Sequence, residues 1–282
     1  MKELFTANIK MNESTHRYYL INKPEFEFVS CTTFIEYFFH KFDSVGVANN
    51  LTMTHPNYIG MSPQELIKNW DKAAKEGTEI HKEIDNFIKF GTMPQNSKSK
   101  IGINWLNTID RNKYEIFSET IIFSEEIKIA GTVDLILFNK ENNTLDIYDW
   151  KTTKSIDKNS YGSKMGRVPA TSTLMDCNFI HYSLQLSLYR YILENYYSLK
   201  VNNLTLLHLN NNMTPYDCNY MKNVIIEMLK YDRVKLAKET EDSLTKEFVN
   251  DFGIEPEYEP DFEDFIDPEE FEGPAPEDII DL

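Results

Sequence analysis

Two largely apolar runs separated by a polar stretch lie between Ala130 and Thr152, AGTVDLILFNKENNTLDIYDWKT. Thr132 to Phe138 is rich in β-branched and large apolar residues and predicts one strand; Thr144 to Trp150 predicts the return strand. The polar stretch Asn139 to Asn143, with its Asn-Asn pair, supplies the turn. Upstream, Asn8 to Ile21 alternates around a polar centre and predicts a first hairpin, and Glu25 to Val29 continues strand-like. Ser30 or Thr32 is placed to cap a helix over Phe34 to Phe39, and Lys41 to Ile59 reads as partly helical. Ser62-Pro63-Gln64-Glu65 is a capping box with proline at the first helical position, which predicts a helix through Trp70 to about Glu76. Gly77-Thr78 predicts a break, with Thr78 capping a second helix through Phe90.

The remaining pattern is a loop over Thr92 to Lys100, a helix over Asn104 to Ile109 and a strand over Glu115 to Phe123. After the central hairpin come an irregular stretch, Thr152 to Asn178, an aromatic-rich helix, His181 to Tyr197, a strand, Leu204 to Leu209, and a closing helix from Tyr216 to about Glu241. The order is helix, three antiparallel strands, helix, strand, helix: an α/β core. The expected divisions are a hairpin and helical cap over residues 1–76, a core over 77–245 and a tail over 246–282.

Composition changes this picture mainly at the C-terminus. The 282-residue chain is long enough to bury a full core, and its net charge is −16. Residues 251–282 hold 14 Asp and Glu, five prolines and no Lys or Arg, which predicts a disordered acidic tail. Without that segment 29 basic residues face 31 acidic ones, so the body is near neutral and can carry a basic groove. Three scattered cysteines, Cys31, Cys177 and Cys218, exclude a disulfide framework and a zinc ribbon and fit a reducing compartment. No apolar leader or membrane-length run is present, so the expected location is the cytoplasm, with no membrane partner.

Asp134 and Asp149 interrupt the two apolar strands of the central hairpin. Asp134, between Val133 and Leu135, is expected where burial is high, and a buried carboxylate without a cation is costly. Asp149 and Lys151 are two apart, so a strand puts them on one side and Trp150 on the other. Two carboxylates and a lysine on adjacent strands suit a hard divalent cation and hydrolysis of a phosphodiester; the plain alternative is a salt bridge at a strand end. His81 is either a further ligand or a helix-surface histidine paired with Asp85, one turn on. Glu119, in the strand FSETIIF, is a ligand, a carboxylate supporting the ligands or an exposed strand residue. Gln185 and Tyr189 share a helix face and are placed either to hold a phosphate or base, or simply to pack on the sheet. Lys154, Lys158, Lys164 and Arg167 fall in the irregular stretch and are either phosphate contacts or a solvated loop. The tail has three readings: a competitor for the groove, a docking segment for a protein partner, or a solubilising extension.

Taken in order, these motifs resemble the PD-(D/E)XK nuclease superfamily, in particular its RecB-type branch common in phages and other viruses. The matching pieces are Gly77-Thr78-Glu79-Ile80-His81 followed by Asp85, then Glu119, then Gly131-Thr132-Val133-Asp134. Asp149-Trp150-Lys151-Thr152 and the pair Gln185 and Tyr189 complete the set. The resemblance spans about Gly77 to Glu194 and implies a restriction-endonuclease-like core. It implies that His81, Asp134, Asp149 and the Trp150 backbone carbonyl bind Mg²⁺ or Mn²⁺, that Lys151 orients or activates the attacking water, and that Gln185 and Tyr189 position DNA. One departure is the absence of a proline before the first acid. Relatives with an iron–sulfur cluster use four cysteines, so no cluster is expected here. The implied activity is a metal-dependent deoxyribonuclease, an exonuclease on DNA ends or single strands. The rival is a silent DNA-binding or recruitment protein on the same fold.

Overall fold

The computed structural model describes residues 8–12, 15 and 17–239; the acidic tail lies outside them. A mixed sheet carries the fold. Its centre is three antiparallel strands, β4 (Tyr114–Ser124), β5 (Ile129–Asn139) and β6 (Thr144–Lys151). β7 (Lys200–Leu209) adds parallel to β6, and β8 (Met213–Asp217) closes the edge antiparallel to β7. A two-residue β3 (Val29–Ser30) pairs in parallel with Ile129 and Ala130 of β5. The expected order of helix, three antiparallel strands, helix and strand is present.

Helices cover both faces. One face packs against α1 (Cys31–Glu36), α5 (Asn178–Tyr196) and α6 (Lys222–Met228) through Phe34, Ile136, Leu184, Leu188 and Met228. Every α5 residue from His181 to Tyr189 is buried, as expected of a helix enclosed on all sides. On the other face, Ile80, Ile84, Ile103 and Leu106 meet Leu135, Leu137, Trp150 and Leu207. They come from α3 (Pro63–Phe90) and α4 (Ser97–Leu106).

α3 corrects the sequence reading. It runs unbroken for 28 residues where a break was expected at Gly77. The Ser62/Glu65 capping box starts it, and Gly91 ends it with a left-handed φ of 71°. A single helical glycine costs about 1 kcal/mol, which packing at both ends of α3 offsets. Leu66 and Trp70 pack with Ala48, Leu51 and Tyr58 of the cap, the first two on α2 (Ser44–Thr54); Ile80 and Ile84 pack on the sheet. A Cβ at Gly77 would lie 3.0 Å from Thr152 Oγ1, so the glycine marks close approach of helix and sheet. The expected cap–core boundary at residue 76 therefore falls inside one helix.

Three further differences are local. α4 begins at Ser97 with Asn96 as its cap, inside the expected loop. α1 begins at Cys31, capped by Ser30, rather than at Phe34. The expected closing helix is instead β8, then α6, then helical residues 233–239. The N-terminal hairpin is present as β1 (Ile9–Asn12) and β2 (Arg17–Leu20). It packs onto the sheet through Ile9, Tyr18, Leu20, Phe28 and Ala130.

Candidate active site

The site opens where β5 and β6 part. Their ladder runs from Asn139/Thr144 to Leu135/Tyr148 and stops there. The next amide of β6 facing the gap is not left bare: Trp150 N donates to Asp134 Oδ2 at 2.8 Å. On the other side of β5, Glu119 of β4 stands at the level of Asp134, between the pairs Ser118/Leu135 and Thr120/Val133. Glu119 has a positive φ of 44°, which is strained for a non-glycine residue. The facing pattern shifts at this level. Phe117 and Ile122 join the same core cluster although an odd number apart, and so do Val133 and Ile136.

α3 brings His81 to the two acids. Its Nδ1 lies 3.4 Å from Asp134 Oδ2. His81, Glu119 and Asp134 each offer one ligand atom, all within 4.8 Å of one another. Asp85 does not pair with His81; it accepts from Ser118 Oγ at 2.6 Å and meets Lys89 Nζ at 2.8 Å. His81 therefore lies beside Asp134 rather than paired with Asp85, and Glu119 stands with them.

Electrostatics match the geometry. Burial disfavours a charged imidazole at His81, but the carboxylates of Asp134 and Glu119 outweigh it, and the pKa is raised to about 9 despite Lys151 nearby. Burial likewise pushes Asp134 up; His81, Lys151 and the Trp150 amide reverse this and hold it below the usual carboxylate range. One imidazole nitrogen and two carboxylate oxygens form a donor set that fits Mg²⁺ or Mn²⁺. An ion there would compete with protonation of the His81 ring.

Asp149 and Lys151 face the same side, as alternation required. Lys151 Nζ lies 2.9 Å from Asp149 Oδ2 and 4.1 Å from the ring centre of Tyr182 on α5. Asp149 is only 2% exposed and is not among the clustered donors His81, Glu119 and Asp134, whereas Lys151 lines the cleft. The Trp150 side chain is buried on the α3–α4 face, opposite Asp149 and Lys151.

Gln185 and Tyr189 are both buried, and Gln185 Nε2 donates to Tyr189 Oη at 3.0 Å. Tyr189 lines the cleft and packs tightly on β5: a Cβ at Gly131 would lie 2.6 Å from Tyr189 Cε1 and 2.8 Å from Cys31 Sγ. The expected basic loop is divided. Lys154 is exposed and lines the cleft. Lys158 lies over the rings of Phe179 and Tyr216. Arg167 is tied into the fold, with Nε donating to Tyr37 O at 2.9 Å and Nη2 to Leu236 O at 3.1 Å. Lys164 is exposed and, with Lys158 and Arg167, is not among the residues lining the cleft.

Two residues of the site carried no signal in the sequence. Lys98, at the start of α4, donates to Thr152 O at 2.7 Å, and His208 Nε2 contacts Thr153 O. Together they fasten the two carbonyls that follow Lys151. Burial lowers the pKa of Lys98, partly offset by Glu76, and also lowers that of His208.

The trio, Lys151 and Tyr189 all border one open cleft of about 1640 Å³. Among the described residues no helix is long and apolar enough to cross a membrane. A search among curated proteins finds no match. The family model of the PD-(D/E)XK nuclease superfamily, whose enzymes typically use divalent metals, matches residues 61–265. That match begins at the cap of α3 and takes in His81, Glu119, Asp134, Asp149 and Lys151; the chain belongs to the PD-(D/E)XK nuclease superfamily.

Proposed function

We propose that this protein is a Mg²⁺- or Mn²⁺-dependent deoxyribonuclease, an exonuclease acting on DNA ends or single strands in replication, repair or recombination. One observation carries the reading: His81, Glu119 and Asp134 present three donor atoms within 4.8 Å of one another in a cleft that Lys151 also lines. A divalent ion on these residues would supply positive charge at the scissile phosphate and a more acidic bound water. The Lys151 ammonium, steadied by Asp149 and the Tyr182 ring, orients the attacking water by donating to its oxygen. The Trp150 amide fixes the Asp134 carboxylate, so the acid arrives preoriented. The Trp150 carbonyl and Asp149 belong to the proposed ligand set through the family resemblance. Gln185, through Tyr189, and Lys154 steady the DNA; Lys158, Lys164 and Arg167 serve it only if the strand extends past the cleft. The RecB-type branch, a viral source and a cytoplasmic site of action belong to the same proposal.

The test is degradation of end-labelled single-stranded DNA with Mg²⁺ or Mn²⁺ by the wild type, Asp149→Ala and Lys151→Ala. The expected result is a loss of about 10²–10⁴-fold in both variants. Equal degradation by all three would show that the site is misassigned, and no degradation by the wild type would favour the silent DNA-binding reading. Digestion of linear but not circular DNA is expected of the exonuclease.

A further inference from the structure

The N-terminal hairpin lies outside the residues matched by the family model, yet it borders the same cleft as the His81–Glu119–Asp134 trio. Its two faces differ. Ile9, Tyr18 and Leu20 pack on the sheet, and Tyr18 Oη is 2.9 Å from Thr132 Oγ1, two residues from Asp134. The other face carries Arg17 and Tyr19, two apart on β2, with Lys10 directly across from Tyr19 on β1. Arg17 and Lys10 are exposed, Tyr19 is half-buried, and both Arg17 and Tyr19 line the cleft.

Cations flanking an aromatic ring along one face suit a polynucleotide, because the charges meet phosphates and the ring stacks on a base. Stacking requires a base whose face is uncovered. In a duplex the faces are already stacked on neighbouring bases and only the edges are reachable. We propose that β1–β2 is a grip for single-stranded DNA, with Tyr19 stacking on a base and Arg17 and Lys10 contacting the flanking phosphates. The Tyr18–Thr132 contact sets the grip beside the metal ligands, so the held strand leads to Asp134. This rests on the nuclease reading for its consequence, but the binding itself needs no metal and no cleavage.

The test is therefore made in EDTA. Binding of a fluorescent oligo-dT and of a matched duplex is followed by anisotropy for wild type, Tyr19→Ala, Tyr19→Trp and Arg17→Gln, with thermal unfolding of each. The expected result is about tenfold weaker oligo-dT binding by Tyr19→Ala, retained affinity in Tyr19→Trp, and duplex binding unchanged by either. Arg17→Gln is expected to weaken oligo-dT binding and flatten its salt dependence. Wild-type oligo-dT affinity in Tyr19→Ala, or equal loss on single strand and duplex, would overturn the proposal. A wild type that binds in EDTA but never degrades DNA with Mn²⁺ would refute the nuclease reading and leave the grip standing.

Discussion

Glu119 occupies a backbone conformation that strand residues avoid, with a φ of 44° in the middle of β4. Such strain costs on the order of 1–3 kcal/mol and persists where surrounding contacts over-determine it. Here it accompanies a carboxylate placed against His81 and Asp134. Glu119→Gln keeps the shape and removes the charge, so Mn²⁺ binding measured by calorimetry is expected to weaken at least about tenfold. An unchanged affinity would return Glu119 to the role of an ordinary strand residue. His81 adds a pH dependence. Without metal its pKa is raised to about 9, so at neutral pH it carries a proton, and ligation needs the neutral ring. Apparent Mn²⁺ affinity is therefore expected to rise by up to about tenfold per pH unit from 7 to about 9 and then level off. A flat profile over that range would mean that His81 carries no proton there or does not ligate. At this scale the candidates were legible in sequence, because Gly-Thr-x-x-His, Gly-Thr-x-Asp and Asp-x-Lys-Thr are local patterns, and the fold brings His81, Glu119 and Asp134 together. The distortion at Glu119 was not, since nothing in FSETIIF marks it.

Among the elements, β5 meets α1 and α5 at a point where only glycine fits. A Cβ at Gly131 would fall 2.6 Å from Tyr189 and 2.8 Å from Cys31, both on packed helices. Gly131→Ala is expected to destabilise the fold by about 1–3 kcal/mol in denaturant unfolding, and no loss would show that α5 shifts freely. Gly77 shows the opposite lesson. Read locally it predicted a break; in the fold the buried stripe continues on either side of it, through Trp70 and Ile80, and the helix runs on. β8 was missed for a similar reason. Met213 to Asp217 is short, contains Pro215 and is specified by its pairing with β7 rather than by its own pattern. Lys98 fell in an expected loop, and nothing near it in sequence announced the carbonyl of Thr152. Long amphipathic or β-branched runs were legible; elements fixed by partners distant in sequence were not.

Across the whole molecule, charge is divided between a near-neutral body and an acidic C-terminal segment. We propose that residues 251–282 compete with DNA for the cleft, the alternative being that they dock a protein partner. Truncation before Asp251 is expected to tighten binding to oligo-dT at low salt, with the difference fading as salt rises. Equal affinity with and without the segment would leave only docking or solubility. The order of strands and helices, and the family to which they belong, could be read from motifs in sequence order. The joining of cap and core through α3 and the hairpin's place at the cleft could not, because both depend on side chains meeting across the fold.

The central claim is that His81, Glu119 and Asp134 hold one divalent cation beside Lys151. Anomalous diffraction from crystals of the full chain grown with Mn²⁺ tests it most directly. The expected result is an ion bound by His81 Nδ1 and by carboxylate oxygens of Glu119 and Asp134, lost in Asp134→Ala. A map with no ion among those three residues at saturating Mn²⁺, or with the ion elsewhere, would contradict it.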